Sequence, residues 1–396
     1  MTDLFNSDIE NGNPSKENYT SSEIIRQPET WESTWKKVQE EKERLTTFLK
    51  NVIDLEKLNI VLTGAGSSAF VGNVVASTWQ KETKHSAKAV PTTDLVTHWK
   101  NYILPSEPLL LISFARSGNS PESTAAIEQL TRGCDNVFHL IITCNPDGQL
   151  AQRKKNKNTC VFLLPREAED RSLAMTNSFT SMALAATLIP KLLTTETDYL
   201  DFQIDTLSAY GKKVLNKYST LLEEVAHKDF NRIVFLGSGP LQGIAREAHL
   251  KVQELTNGQV VGKFDSFLGF RHGPKAIIDD NTLLVYLISN NKDTNRYESD
   301  LVRQINQHDI GLLTLGIAET ECISSNIDYC ITLGEKQQLD EAFWAILCTI
   351  PAQIIGFYKS IDLGYNPDNP SPDGTISRVV EGVNIYPDSI PNDLKN

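Results

Sequence analysis

Cysteine and positive charge are in short supply in this chain of 396 residues, and each shortage excludes something. The six cysteines, Cys134, Cys144, Cys160, Cys322, Cys330 and Cys348, form no CxxC pair, and several lie in apolar runs. That argues against zinc fingers and disulfide scaffolds and predicts buried, reduced thiols in a cytoplasmic protein. No run of about 18 apolar residues occurs, so no membrane span is expected. The N-terminus is polar and acidic without an apolar stretch, so no signal peptide is expected. Lys and Arg total 38 against 50 Asp and Glu, a net charge of −12. A chain this acidic is a poor general binder of nucleic acid. An anionic small-molecule substrate would need backbone N–H groups and a few placed cations. What is present is a hydrophobic content of 40%, ordinary for a globular protein and enough for two or three domains.

Residues 1–28 are rich in Asn, Ser and Glu and are expected to be loose or draped on the surface. From Glu29 to Leu55 the apolar residues (Trp31, Trp35, Val38, Leu45, Phe48, Leu49, Ile53) recur at helical spacing. Short apolar runs then alternate with helical stretches: Asn59–Thr63, Leu109–Ser113, Val137–Thr143 and Cys160–Leu164. Such runs predict a parallel sheet buried on both faces. The pattern recurs at Arg232–Gly237, Leu283–Ile288, Gly311–Leu315 and Tyr329–Leu333. Gly237 matches Gly64 at an offset of 237 − 64 = 173 residues, far too long for a solenoid repeat. A whole α/β domain is duplicated, with the helical stretch Phe202–Lys228 joining the halves. The predicted division is a polar N-terminus with a helical segment (1–44), a first α/β domain (45–200), a linker (201–214), a second α/β domain (215–365) and a tail (366–396).

In open α/β sheets ligands bind beyond the carboxyl ends of the strands. Two turns leave the first half's strands there: Thr63-Gly-Ala-Gly-Ser-Ser68 and Ala115-Arg-Ser-Gly-Asn-Ser120. Small residues allow close backbone approach, and helix N-termini favour anions. Gly66, Ser67, Ser68, Arg116, Ser117 and Ser120 are therefore candidates for a phosphate cradle. A serine at a helix start is also an ordinary N-cap. Two serine-rich turns on one sheet favour the phosphate. Gly64-Ala-Gly-Ser-Ser-Ala69 also fits GxGxxA, with Glu82 about where a ribose-binding acid would lie. Glu82, however, falls in a stretch that reads as a helix end rather than a strand tip. The second half carries Ser289-Asn-Asn-Lys292 at the matching turn, without the serine cluster, so one cradle per chain is expected.

From Leu241 to Leu255 the spacing is helical. At 3.6 residues per turn Glu247, Lys251 and Glu254 share a sector of about 60°. The simplest account is a surface i, i+4 ion pair. The face follows the strand-to-helix turn Gly237–Gly243 at the ligand edge, which favours function. His272 sits in Gly269-Phe-Arg-His-Gly-Pro274, a tight loop that would fix the ring.

These stretches resemble the sugar isomerase family, whose chains carry two tandem SIS domains, each a flavodoxin-like parallel sheet flanked by helices. Glu247-Ala-His-Leu-Lys-Val-Gln-Glu254 and Arg271-His-Gly-Pro274 resemble the catalytic helix and turn of the isomerase half of glucosamine-6-phosphate synthase. Ser117-Gly-Asn-Ser-Pro-Glu-Ser123, Glu167–Thr176 and Asn366–Gly374 look like the galactosamine-6-phosphate deaminase/isomerase group, also called tagatose-6-phosphate ketose/aldose isomerase. The resemblance implies that Glu254 moves a proton between C1 and C2 of an amino-sugar phosphate. It implies that His272 assists ring opening from the neighbouring subunit of a homodimer, and that Lys251 and Glu247 position hydroxyls or the amine. Ser68, Ser117 and Ser120 map onto phosphate ligands, and no metal or other cofactor is implied. Ala115 stands where the synthase has a serine, with Arg116 beside it as a substitute charge. Arg378 is a candidate for the synthase's tail lysine. No glutaminase domain is expected in this stretch, since that domain needs an N-terminal cysteine and the first cysteine is Cys134. Two rival readings remain: an aldose–ketose isomerase without nitrogen chemistry, and a non-catalytic phosphosugar sensor.

Overall fold

The computed structural model describes residues 18–153, 157–307, 311, 313–322, 327–380 and 382–386. The first 17 residues of the polar N-terminus and the end of the tail lie outside them. Three helices open the described chain: α1 (Tyr19–Ile25), α2 (Gln27–Glu40) and α3 (Lys42–Ile53). The first sheet contains β1 (Asn59–Thr63), β2 (Ser86–Ala89), β3 (Leu109–Ala115), β4 (Val137–Thr143) and β5 (Thr159–Leu163). Its order is β2-β1-β3-β4-β5, with every neighbouring pair parallel. Helices α4 (Ser67–Thr83), α5 (Thr92–Tyr102) and α6 (Pro121–Gly133) make its crossovers, and α7 (Asn177–Lys191) follows. Helix α8 (Thr197–Lys213), a π turn (Val214–Tyr218) and α9 (Ser219–Ala226) lead to the second half.

The second sheet repeats the plan with β6 (Arg232–Leu236), β7 (Val261–Asp265), β8 (Thr282–Leu287), β9 (Leu313–Ala318) and β10 (Tyr329–Thr332), in the order β10-β9-β8-β6-β7. Its helices are α10 (Pro240–Leu255), the short α11 (Phe267–Phe270), α12 (Lys292–Gln307), α13 (Glu341–Leu347) and α14 (Thr349–Asp362). The duplication holds in register as well as order. Asn59 pairs with Leu109 and Arg232 with Thr282, so both partners are shifted by 232 − 59 = 282 − 109 = 173. The chain thus has the expected α/β fold, two tandem parallel sheets flanked by helices.

The central strands are apolar runs because they are covered on both faces; β3 and β8 are buried along their whole length. Two strands were not foreseen. Both β2 and β7 are sheet edges with half-exposed residues, Ser-Ala-Lys-Ala and Val-Gly-Lys-Phe-Asp, so neither carries an apolar run.

The halves meet where α4 crosses α10. A Cβ on Gly243 of α10 would lie 2.7 Å from the backbone nitrogen of Val74 in α4. Only glycine allows that approach, and it brings the polar face of α10 up to the turn that starts α4.

Two expectations need correction. Residues 18–28 are not loose: α1 buries Thr20, Glu23 and Ile24. The Asp368 carboxylate accepts the N–H groups of Tyr19 and Thr20 at 3.0 and 2.8 Å, satisfying donors that a free helix start would leave to water. Second, Cys322, just after β9, and Cys330, in the neighbouring β10, are joined in a disulfide. Cys134, Cys144, Cys160 and Cys348 are free and buried. The stretch Glu341–Asp362 is long and apolar enough to cross a membrane, and 89% of its apolar window is buried inside the fold. It is apolar all round because it is a core element, packed on α10 and α9.

Candidate active site

At the carboxyl edge of the first sheet a cavity of about 510 Å³ opens between three walls. The turn after β1 supplies Gly66, Ser67 and Ser68, and the turn after β3 supplies Arg116, Ser117 and Ser120. Glu254 of α10 and residues 374–380 of the tail complete it.

The two turns are built for close backbone approach. Gly66 adopts φ 56°, ψ −131°, and Gly118 has φ 68°, conformations that disfavour a side chain. Neither α4 nor α6 has a side-chain cap hydrogen bond. The serines are therefore not consumed as N-caps, the plainer of the two readings open to them. Ser120 donates to Ser123 Oγ at 2.6 Å, and Ser117 Oγ accepts the Asn119 N–H at 3.3 Å. Two uncapped helix starts at one cavity favour an anion.

Arg116 supplies the charge. It is nearly buried, and its guanidinium donates to the carbonyls of Ser172 (3.1 Å), Leu173 (3.0 Å) and Arg378 (2.8 Å). All three acceptors are neutral, so no direct carboxylate partner cancels the charge. Burial lowers its pKa from the ordinary arginine value, with Asp170 opposing.

On the opposite wall, Lys251 Nζ donates to Glu254 Oε2 at 2.8 Å and lies 3.1 Å from Glu247 Oε1. Ser67 Oγ is within 3.1 Å of Glu247 Oε1 and 3.4 Å of Lys251 Nζ, tying this chain of charges to the cradle turn. Exposure grades along it: the side chains of Glu247 and Lys251 are at 0% and that of Glu254 at 24%. Burial pushes the Glu247 carboxyl up to about 7 despite Lys251, and its Oε2 has no partner. For Lys251 burial would lower the pKa, but the two carboxylates outweigh it and the value is raised. Lys251 and Glu247, expected to position hydroxyls or the amine, do not line this cavity. Both are sealed in the α4–α10 contact, and only Glu254 faces the cavity.

Two further candidates do not bring their charged or ring groups into this cavity within one chain. Arg378 lines the cavity, but its guanidinium is turned away, onto Glu169 Oε1 at 3.2 Å and the Asp170 carbonyl. Its contribution is the carbonyl that holds Arg116. His272 is exposed and is not brought to this cavity within one chain. Glu82 ends α4 in an ion pair with Lys191 at 3.4 Å, not at a strand tip, which removes the acid a dinucleotide site would need. Among the described residues no three His, Cys, Asp or Glu side chains converge as metal ligands would.

The sequence reading missed the shell behind Arg116. Asp170 accepts the N–H groups of Thr176, Asn177 and Ser178 at 2.9–3.1 Å, capping α7 and shaping the loop that holds Arg116. Its only signal was an acid six to eight residues before a helix start, too long a reach for a capping pattern.

The geometry is thus a doubly wound sheet with two uncapped serine-rich turns at one cavity, met by a Glu-Lys-Glu helix from a second such sheet. A family model described as SIS domain matches residues 55–189, and the chain belongs to the SIS-domain family. It is 38% identical over 377 residues to D-galactosamine-6-phosphate deaminase AgaS of Escherichia coli, spanning 93% of this chain and 96% of that one. The crystal structure of tagatose-6-phosphate ketose/aldose isomerase from Escherichia coli is similar with a TM-score of 0.84 at 36% identity, covering 94% of this chain and 97% of that one. The C-terminal domain of glucosamine-fructose-6-phosphate aminotransferase from Francisella tularensis shares the fold, with a TM-score of 0.71 at 18% identity over 89% and 98% of the two chains.

Proposed function

We propose that this chain is an enzyme that deaminates and isomerises an amino-sugar 6-phosphate, D-galactosamine 6-phosphate, to D-tagatose 6-phosphate and ammonia. One observation carries the reading: an anion cradle and a carboxylate backed by a buried ammonium line the same cavity. The similarity to an AgaS deaminase over nearly the whole chain supports the substrate.

In this scheme the cradle and Arg116 hold the 6-phosphate, and the tail covers the sugar. His272 of the partner subunit, in a homodimer, opens the ring; its exposure on one protomer fits that role. Glu254 removes the C2 proton of the open-chain amino aldose and returns a proton to C1. The 2-amino enol becomes a ketimine, and water adds to C2 and expels ammonia. Lys251, 2.8 Å from Glu254 Oε2, orients the Glu254 carboxylate. Anchoring through a remote phosphate aligns C1 and C2 with the base. No cofactor enters the scheme, and the cytoplasm is the proposed location.

Glu254→Gln tests it. General-base catalysis supplies ~10²–10⁴-fold, so turnover should fall by about that factor while phosphosugar binding persists. Near-normal turnover would sink the assignment. Assaying ammonia from galactosamine 6-phosphate and glucosamine 6-phosphate decides the chemistry. Ketose formation without ammonia would mean a plain isomerase, and tight binding without turnover a sensor.

A further inference from the structure

The site's charge depends on a residue at the other end of the chain. Glu23, in the segment expected to be loose, is 1% exposed. Its Oε1 accepts the N–H of Arg171 at 2.6 Å and that of Ser172 at 3.3 Å, and its Oε2 accepts the Ser172 hydroxyl. These bonds consume the donors of two consecutive loop residues. They leave the carbonyls of Ser172 and Leu173 pointing at Arg116 Nη1. The loop is fastened a second time, by the Leu173 N–H donating to the Asp368 carbonyl at 3.0 Å, and the Asp368 carboxylate caps the helix that carries Glu23. Three segments remote in sequence, α1, residues 170–173 and the tail, thus form one clasp behind a single guanidinium.

A buried carboxylate is a costly way to anchor a loop unless its geometry is used. The Arg116 side chain has no carboxylate partner to fix its rotamer. Its position is set by the placement of three backbone carbonyls: one belongs to Ser172, which Glu23 holds, one to Leu173, the next residue, and one to Arg378. We infer that Glu23 is a positioning residue for the phosphate site: by fixing residues 171 and 172, and through them the start of the Ser172–Leu173 turn, it sets the guanidinium of Arg116 at the cradle. The inference rests on the proposed role of the cradle and deepens it. It does not depend on which sugar is turned over.

Inorganic phosphate is the probe, measured by calorimetry and by competition against turnover in the full chain. Glu23→Ala should weaken phosphate affinity and raise KM about five- to ten-fold, with kcat changed less than about two-fold. In an Arg116→Met background the same substitution should add less than about 1.5-fold, because Glu23 acts through Arg116. A lowered melting temperature with unchanged phosphate affinity and KM would overturn the inference. So would an equal loss in both backgrounds. Should Glu23→Ala fail to fold, Glu23→Gln, which keeps one acceptor oxygen, carries the same readouts with an expected loss of about two- to three-fold. Absence of ammonia release by the wild type would remove the deaminase reading and leave the phosphate result standing. Absence of phosphate binding by the wild type would remove the cradle and this inference together.

Discussion

The two halves of the molecule share a backbone and divide the chemistry. The turn at the start of α4 has Gly66 at φ 56°, ψ −131°, and the matching turn at α10 has Gly239 at φ 56°, ψ −128°. In the first half the space beyond that turn is an open cavity. In the second half a cavity of about 790 Å³ also opens there, lined by Gly239, Pro240 and Asn290, but the groups of the turn after β8 are satisfied by the protein's own carboxylates. Glu298 Oε2 accepts the Ser289 N–H at 2.9 Å, the Ser289 hydroxyl donates to Glu341, and Asn290 Nδ2 donates to Glu319 at 2.6 Å. Glu298 stands where the first half has Ala125, since 298 − 125 = 173. An internal carboxylate does there what a phosphate would do in the first half. The helices are specialised the opposite way: Glu247, Lys251 and Glu254 of α10 correspond to Val74, Thr78 and Lys81 of α4. The two edges are equivalent in backbone; in the proposed function one holds the anion cradle and the other lends the acid–base face.

Several substitutions would break that division, and the largest effect should come from its most buried charge. Lys251→Met leaves Glu247 and Glu254 facing each other without their shared cation. It should destabilise the fold by about 3–5 kcal/mol, read by denaturant unfolding, and abolish turnover. Replacing the cradle's cation is the next test. Arg116→Met should raise KM for a phosphosugar about 10- to 100-fold, with kcat much less affected, as expected for a lost charged hydrogen bond. Unchanged KM would show that the phosphate lies elsewhere.

The second half's internal anion gives the contrasting experiment. Glu298→Ala should cost about 1–3 kcal/mol of stability, because the Ser289 N–H loses its acceptor, and should leave KM unchanged. A shifted KM would mean that the halves are not independent in ligand binding. The smallest expected effect is on pH dependence. Burial raises the Glu247 carboxyl from 4.5 to about 7, so the folded state holds its proton more tightly than the unfolded state does. Its contribution to stability is therefore fully present below about pH 4.5 and is lost as pH rises through about 7. Glu247→Gln should flatten unfolding free energy against pH in that window by part of the slope. Glu23 and Glu298, also raised to about 7, keep the rest. A wild-type slope left intact in Glu247→Gln would refute the shift.

Much of this molecule was legible in its residues, for physical reasons. Strands covered on both faces must be apolar, so eight of the ten appear as runs, and the 173-residue offset between them reveals the duplication. Helical periodicity puts Glu247, Lys251 and Glu254 on one face whatever lies opposite. The serine and glycine turns after β1 and β3 announce close backbone approach wherever they occur. These features depend on a few neighbouring residues or on burial alone, and a sequence records both.

Only the tertiary structure decided which of those side chains meet the cavity. The pattern that aligns Glu247 and Lys251 with Glu254 could not show that the α4–α10 crossing seals the first two and leaves the third open. Arg378 was a reasonable cation until its guanidinium was found on Glu169 and Asp170, with its carbonyl on Arg116. The edge strands β2 and β7, the anchored helix α1 and the Cys322–Cys330 link depend on partners that no local pattern names. Glu23 and Arg116 lie 116 − 23 = 93 residues apart, and Arg378 lies 262 beyond Arg116. The chain's own residues settle which groups can bind a phosphate or move a proton. Bringing them to one point requires the packing of segments whose distance along the chain carries no information about their distance in space.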